Sequence, residues 1–130
     1  MKAIQSAKKI AIANPDHAPY GRAAKEFLMS MGVWELIESK LVFGENISQA
    51  TIFALTGSAD FAISALSLAT APAIKSQATY VLIPDQLHKP LRQKMVLIKN
   101  HAPNVTDFYQ YLQEPKSKQI MTRYGFLLPR

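Results

Sequence analysis

The sequence predicts an α/β fold with a central, mainly parallel sheet. Three features point to it. Apolar runs of five to seven residues recur along the chain, segments of helical periodicity separate the first four of them, and Asn-Pro, Gly or Pro marks most of the junctions. Strands that alternate with helices of about ten residues indicate βαβ units, which build parallel sheets. The chain has 130 residues, of which 48% are hydrophobic and 18% charged, so it is about one domain in size and too apolar to remain disordered.

Lys9–Ala13 (K-I-A-I-A) reads as a buried strand closed by Asn14-Pro15. A loop with two prolines follows, Pro15 to Gly21. From Arg22 to Met31 the apolar positions Ala23, Ala24, Phe27, Leu28 and Met31 have helical spacing, and Gly32 is a stop signal. Val33–Ser39 predicts a second short helix or turn, and Lys40–Gly44 (K-L-V-F-G) a second strand. Asn46 and Gln49 stand three apart, as N-cap and N3 do in a capping box, ahead of a helix that ends at Gly57. Asp60–Leu66 is the third strand, Ser67–Ile74 a helix of small residues interrupted or begun near Pro72, and Ala78–Ile83 a fourth strand stopped by Pro84. Beyond a polar connector, Lys94–Ile98 predicts an isolated strand. Val105–Leu112 predicts an amphipathic helix, and Pro115 fits the first position of another that runs to Tyr124 before Gly125. Phe126-Leu127-Leu128-Pro129 is an apolar end that needs a surface to dock on.

Composition excludes several chemistries. There is no cysteine, so disulfides, thiolate metal sites and thiol nucleophiles are out. No apolar run is long enough for a membrane-spanning helix. Ser64 and Ser67 flank Ala65-Leu66 without a G-x-S-x-G elbow, and no nucleotide-binding glycine motif occurs, so the sequence predicts no enzyme, no catalytic residue and no cofactor. His17, His88 and His101 lack the spacing of metal ligands and read as solvated loop residues. The first nine residues contain no apolar core of a secretory signal, so on its own the sequence predicts a cytosolic chain or a portion of a longer precursor.

The net charge is +6, from 15 basic and 9 acidic residues. Residues 1–65 are neutral, with six of each sign. Residues 86–130 carry eight basic and two acidic residues and hold the whole excess. A basic tail suggests an anionic partner. It lacks the clustered arginines and interleaved aromatics of a nucleic-acid surface, so no nucleic acid is predicted. The asymmetry instead marks a division into 1–85 and 86–130.

Each of the first three strands leads into a helix start with small or polar groups: Pro19-Tyr20-Gly21-Arg22, Asn46-Ile47-Ser48 and Ser64-Ala65-Leu66-Ser67. In an open parallel sheet these lie at the carboxyl ends of the strands, where ligands bind. A helix start carries unpaired N–H groups and partial positive charge, which suit a small anion. Asn46 and Ser67 also read simply as helix caps.

These segments carry a family resemblance. Ile10 to Glu26 (I-A-I-A-N-P-D-H-A-P-Y-G-R-A-A-K-E) resembles the entry to the second lobe of molybdate-binding periplasmic proteins, the substrate-binding components of molybdate/tungstate ABC importers. The likeness continues through Lys40–Ala50 and Asp60–Ser67 and ends at Arg123-Tyr124-Gly125-Phe126. It implies a periplasmic-binding-protein-like (type II) three-layer α/β lobe, a periplasmic location, an ABC permease as partner and no direct membrane insertion. It also implies an oxyanion, molybdate or tungstate, held by hydroxyls and backbone N–H groups without a cation. The contacts would fall on Tyr20, the Ile47 N–H and Ala65, with Gly21, Ser48, Ser64 and Ser67 as further donors. Some relatives have Tyr where this chain has Ala65, which makes Tyr20 the alternative hydroxyl, and Arg22 reads as a solvated side chain at the helix start.

The family's first lobe would precede residue 1. By the resemblance, 1–85 is the second ligand-binding lobe and 86–130 a returning segment that packs on the first. The chain is expected to be a C-terminal portion whose binding is weak or absent. Its tail must bury Phe108, Leu112, Ile120 and Phe126, by folding back or by exchange in a homodimer. The other reading is a stand-alone α/β ligand-sensing or interaction domain.

Overall fold

A computed structural model describes residues 2–100 and 102–128. It divides into two compact units, Met1–Leu91 and Arg92–Arg130. His101 and Pro129, both named above, lie outside the described residues.

The first unit is built around one strand. β1 (Ile10–Ala13) pairs in parallel with β2 (Leu41–Gly44) on one side and β3 (Phe61–Ala62) on the other, giving the order β2-β1-β3. All four β1 residues are buried, as a continuous apolar run in the middle of a parallel sheet must be. The period of two separates its side chains by size. Ile10 and Ile12 join Ala24, Phe27, Leu28, Val33 and Ile37 in one core, formed with α2 (Pro19–Ser30) and α3 (Trp34–Ile37). Ala11 joins Ala50, Ala59 and the half-buried Phe53 in a second core under α4 (Ile47–Leu55). Bulk lies on one face and alanine on the other, so α4 approaches the sheet closely. Full burial of Ile10, Ile12 and Leu28 contributes roughly 1.5–3 kcal/mol each.

α2 starts at Pro19, three residues earlier than expected, because proline suits the first helical position. It ends in two backbone bonds, Gly32 N–H to Met29 O at 2.9 Å and Val33 N–H to Leu28 O at 3.1 Å. This pairing turns the chain and buries Val33 against Leu28. A 3₁₀ turn, Glu38–Lys40, then leads into β2. At α4, Asn46 Oδ1 accepts the Gln49 N–H at 3.0 Å, as the sequence predicts. The return half of the capping box lies one residue earlier, with the Glu45 N–H donating to Gln49 Oε1 at 2.7 Å.

Register is fixed at the amino-terminal edge of the sheet. The Asp60 carboxylate accepts the Lys8 and Lys9 N–H groups at 2.6 and 2.9 Å, and the Asp60 N–H donates to Lys9 O at 2.9 Å. The backbone bonds from Lys9 and Lys8 hold the Asp60 carboxyl below its ordinary range.

Several expected elements differ. A short helix not foreseen, α1 (Lys2–Ser6), brings Ile4 and the following Ala7 to the core. The third strand shrinks to two ladder residues, extended by one bond from the Ile63 N–H to Ala11 O. The stretch 67–74 is interrupted at Pro72, as the sequence predicts, and gives α5 (Leu66–Ala69) and α6 (Pro72–Lys75), since the residue before Pro72 is forced extended (Ala71 ψ 136°). Ala78–Ile83 and Lys94–Ile98 are not strands. Among the described residues no strand pairs with either, and Val81 is 93% exposed, so their apolar character has no sheet to join. The stretch after Pro84 turns through a 3₁₀ segment, Asp85–Leu87, and is anchored on α2. Leu87 packs on the core, Leu87 O accepts from Ser30 Oγ at 3.0 Å, and the Lys89 N–H donates to Glu26 at 2.8 Å.

The second unit contains α7 (Pro103–Tyr111) and α8 (Pro115–Arg123). Ser117 is buried and donates to Tyr111 O at 2.6 Å, which fixes the turn between them. Phe108, Ile120 and Phe126, expected to be covered, are 60%, 42% and 42% exposed. Two nine-residue helices are too little chain to bury a core of their own.

Two stability outcomes follow from these bonds. Asp60→Asn lowers the melting temperature at neutral pH. A carboxyl depressed by folding contributes above its unfolded pKa and loses that contribution as pH falls through the folded value. The gap to the unsubstituted chain therefore closes in acid below the ordinary carboxylate range, and a gap that ignores pH would exclude the carboxylate as its source. Asn46→Ala costs about 0.5–2 kcal/mol in urea unfolding through loss of the cap, while Glu45→Ala leaves the cap bond intact.

Candidate anion-binding edge

Three strands in parallel register bring their carboxyl ends to one edge. Ala13 stands opposite Gly44, and Ala11 opposite Ala62, so the chain leaves the sheet at Asn14, Glu45 and Ile63-Ser64 on the same side. The starts of α2, α4 and α5 follow directly. The predicted site residues are therefore gathered at one edge by topology.

Two glycines let the helix starts press against the strands. A Cβ on Gly21 would lie 2.7 Å from the carbonyl carbon of Asn14 and collide with Ala13 O. A Cβ on Gly44 would lie 2.7 Å from the Ala50 nitrogen. Real Cβ atoms do not approach so closely, so both contacts exist only because the side chains are absent.

The loops are bonded to one another. The Asn14 N–H donates to Gly44 O at 2.8 Å, and Asn14 Oδ1 accepts the Asp16 N–H at 3.0 Å. His17 Nε2 lies 3.0 Å from Glu45 O and 3.4 Å from Glu45 Oε2. A carbonyl can only accept, so Nε2 carries the proton. His17 is exposed, as the sequence predicts, and also bridges the loops after β1 and β2. His88 Nδ1 lies 2.9 Å from Lys89 O, away from this edge in the chain.

The donors differ in kind. Tyr20 is half-buried in the first turn of α2, and among the described residues its hydroxyl makes no hydrogen bond. Arg22, next along, is exposed. Ile47 and Ser48 are the first two residues of α4. Asn46 takes the Gln49 N–H and leaves theirs without an acceptor among the described residues. Ala65 is the N-cap of α5, with φ −84° and ψ 139°, and is 3% exposed. Its methyl offers no donor, so only backbone is available there. Ser67 is half-buried at the second position of α5. With four residues, α5 has a far smaller dipole than α4.

Ser64 does not stand free. Its Oγ lies 2.6 Å from Thr51 Oγ1, and Thr51 donates to Ile47 O at 2.7 Å. Thr51, 6% exposed, was not singled out from the sequence, although its i+4 spacing from Ile47 places it on the same helix face. Nothing in the sequence marks His17 as a bridge.

The chain is similar to known proteins along nearly its whole length. It is 38% identical over 120 residues to the molybdate-binding protein ModA of Rhodobacter capsulatus, which covers 91% of this chain and 46% of that protein. It is 35% identical over 121 residues to the ModA of Azotobacter vinelandii, covering 92% and 48%. The chain thus spans about half the length of these relatives. The solved periplasmic molybdate-binding protein of Azotobacter vinelandii matches with a TM-score of 0.87 at 28% identity, over 96% of this chain and 56% of that one. A substrate-binding domain from Clostridium difficile shares the fold, with a TM-score of 0.74 at 21% identity over 100% of this chain and 58% of that one. The family model for bacterial extracellular solute-binding proteins matches residues 2–127, and with the periplasmic-binding-protein-like α/β lobe described above, the chain belongs to that family.

Proposed function

We propose that this chain forms one lobe of an oxyanion-binding protein that delivers molybdate or tungstate to an ABC importer. The start of α4 supports this most directly. The N-cap side chain is committed to Gln49, and the Ile47 and Ser48 N–H groups are left for a ligand at the edge where three strands end. The likeness to ModA proteins supplies the ligand class.

In this reading Tyr20 Oη, the Ile47 N–H and the backbone at Ala65 are the principal contacts. The Gly21 and Ser48 N–H groups and the Ser67 hydroxyl are further donors, and Ser64 acts through Thr51. Neutral donors of fixed direction suit a tetrahedral dianion, and no cation or cofactor takes part. The protein is a transport component rather than an enzyme and works in the periplasm with a membrane permease. Residues 1–85 are the second ligand-binding lobe and 86–130 the segment that returns to the first.

A hydrogen bond to a charged group contributes about 1.5–3 kcal/mol, so three such contacts place the affinity of this chain alone on the order of millimolar. Calorimetry is expected to show molybdate and tungstate binding alike, because they share charge and nearly share size. Tyr20→Phe weakens both by at least about tenfold. Absence of heat and of any thermal shift well above millimolar molybdate would overturn binding by this chain.

The exposure of Phe108, Ile120 and Phe126 favours a second reading, an interaction domain whose copies exchange the segment after Leu91 to form a homodimer. Light scattering decides it: a dimer mass supports exchange, and a monomer at every concentration removes it.

A further inference from the structure

A threonine that donates to the carbonyl four residues back is ordinary in helices. Thr56, Thr70 and Thr122 all do so here, to Ile52, Leu66 and Lys118. Thr56 also meets a serine, Ser58, but only two residues along the chain. Thr51 joins two separate elements: its acceptor is Ile47 O, in the first turn of α4, and its own oxygen is met by Ser64 from the loop after β3.

Counting protons gives the chain a direction. Thr51 has one hydroxyl hydrogen, and it points to Ile47 O at 2.7 Å. The bond of 2.6 Å to Ser64 is therefore made by the Ser64 hydrogen, with Thr51 Oγ1 accepting. Ile47 C=O belongs to the same peptide plane as the Ser48 N–H. A hydrogen bond accepted by that oxygen draws electron density toward it and makes the N–H on the other side of the plane a stronger donor. The sequence of groups runs Ser64 O–H to Thr51 O–H to Ile47 C=O and ends at the Ser48 N–H, which has no acceptor among the described residues.

We propose that Ser64 and Thr51 are positioning residues that hold and polarise the Ser48 N–H as an anion donor, tying the loop after β3 to the first turn of α4. The inference rests on the anion reading given above and adds to it the device that tunes one of its donors. Neither hydroxyl touches the ligand through its own hydrogen.

The test uses the full chain and reads two things separately. In amide proton–nitrogen correlation spectra without anion, Thr51→Val and Ser64→Ala are expected to move the Ser48 resonance in the same direction. The double variant should move it no further than Thr51→Val alone, and Thr51→Ser should restore it. Loss of stability alone would not give this pattern, since a rescued and an unrescued variant can both be folded. In titrations with sodium molybdate, the unsubstituted chain shifts the Ile47 and Ser48 resonances. Thr51→Val and Ser64→Ala weaken binding by about 1.3- to fivefold, the effect of a tenth to three-tenths on a bond of the strength given above. A Ser48 resonance indifferent to Ser64→Ala, or additive effects of the two substitutions, overturns the relay even where molybdate binds. A relay seen in the spectra with no molybdate response in the unsubstituted chain upholds the coupling and overturns the anion reading.

Discussion

β1 is the constraint on which the rest of the first unit depends. Among the described residues it is the one strand hydrogen-bonded on both sides, it is covered on both faces, and its four residues assign every neighbour a place. Ile10 and Ile12 demand depth from α2 and α3, while Ala11 demands that α4 come near. Exchanging these sizes would open a void on one face and overfill the other, and either error is expensive in a close-packed interior. The clamp at Asp60 sets the register at one end of this strand, and the bond from Asn14 to Gly44 sets it at the other.

The carboxyl edge inherits its geometry from that strand. Because the ladder is parallel, three helix starts arrive on the same side without any long-range instruction beyond register. The arrangement separates the tasks of the two edges. Charge and its backbone partners fasten the amino-terminal edge through Asp60, while the N–H groups without an acceptor among the described residues lie at the opposite edge. There His17 bridges the loops through the Glu45 carbonyl and carboxylate.

The parts legible in the sequence were those set by local chemistry. The run from Ile10 to Ala13, the spacing of Ala24, Phe27 and Leu28, the cap at Asn46 and the proline start of α8 each carry their meaning within a few residues. The segments that misled were those whose state depends on a distant partner. Ala78–Ile83 has the apolar run of a strand, but a strand is a relation between two segments, and no partner for it is found among the described residues. At the site, the helix starts could be read from cap and turn residues. The pairing of Ser64 with Thr51 could not, because thirteen residues and a strand separate them and no local pattern joins them.

Under the function proposed above, the contacts at Gly21 and Gly44 have a consequence for how fast an anion is captured. With backbone against backbone at both positions, the helix starts have no room to settle further once the lobe has folded. The ordering cost of the donors is met during folding, not at the moment of encounter. Association at this edge then needs no rearrangement of the lobe and should run at the speed of diffusion and orientation. Differences among anions, or among variants of Tyr20 and Thr51, would accordingly appear in how long the ligand stays, with little change in how quickly it arrives.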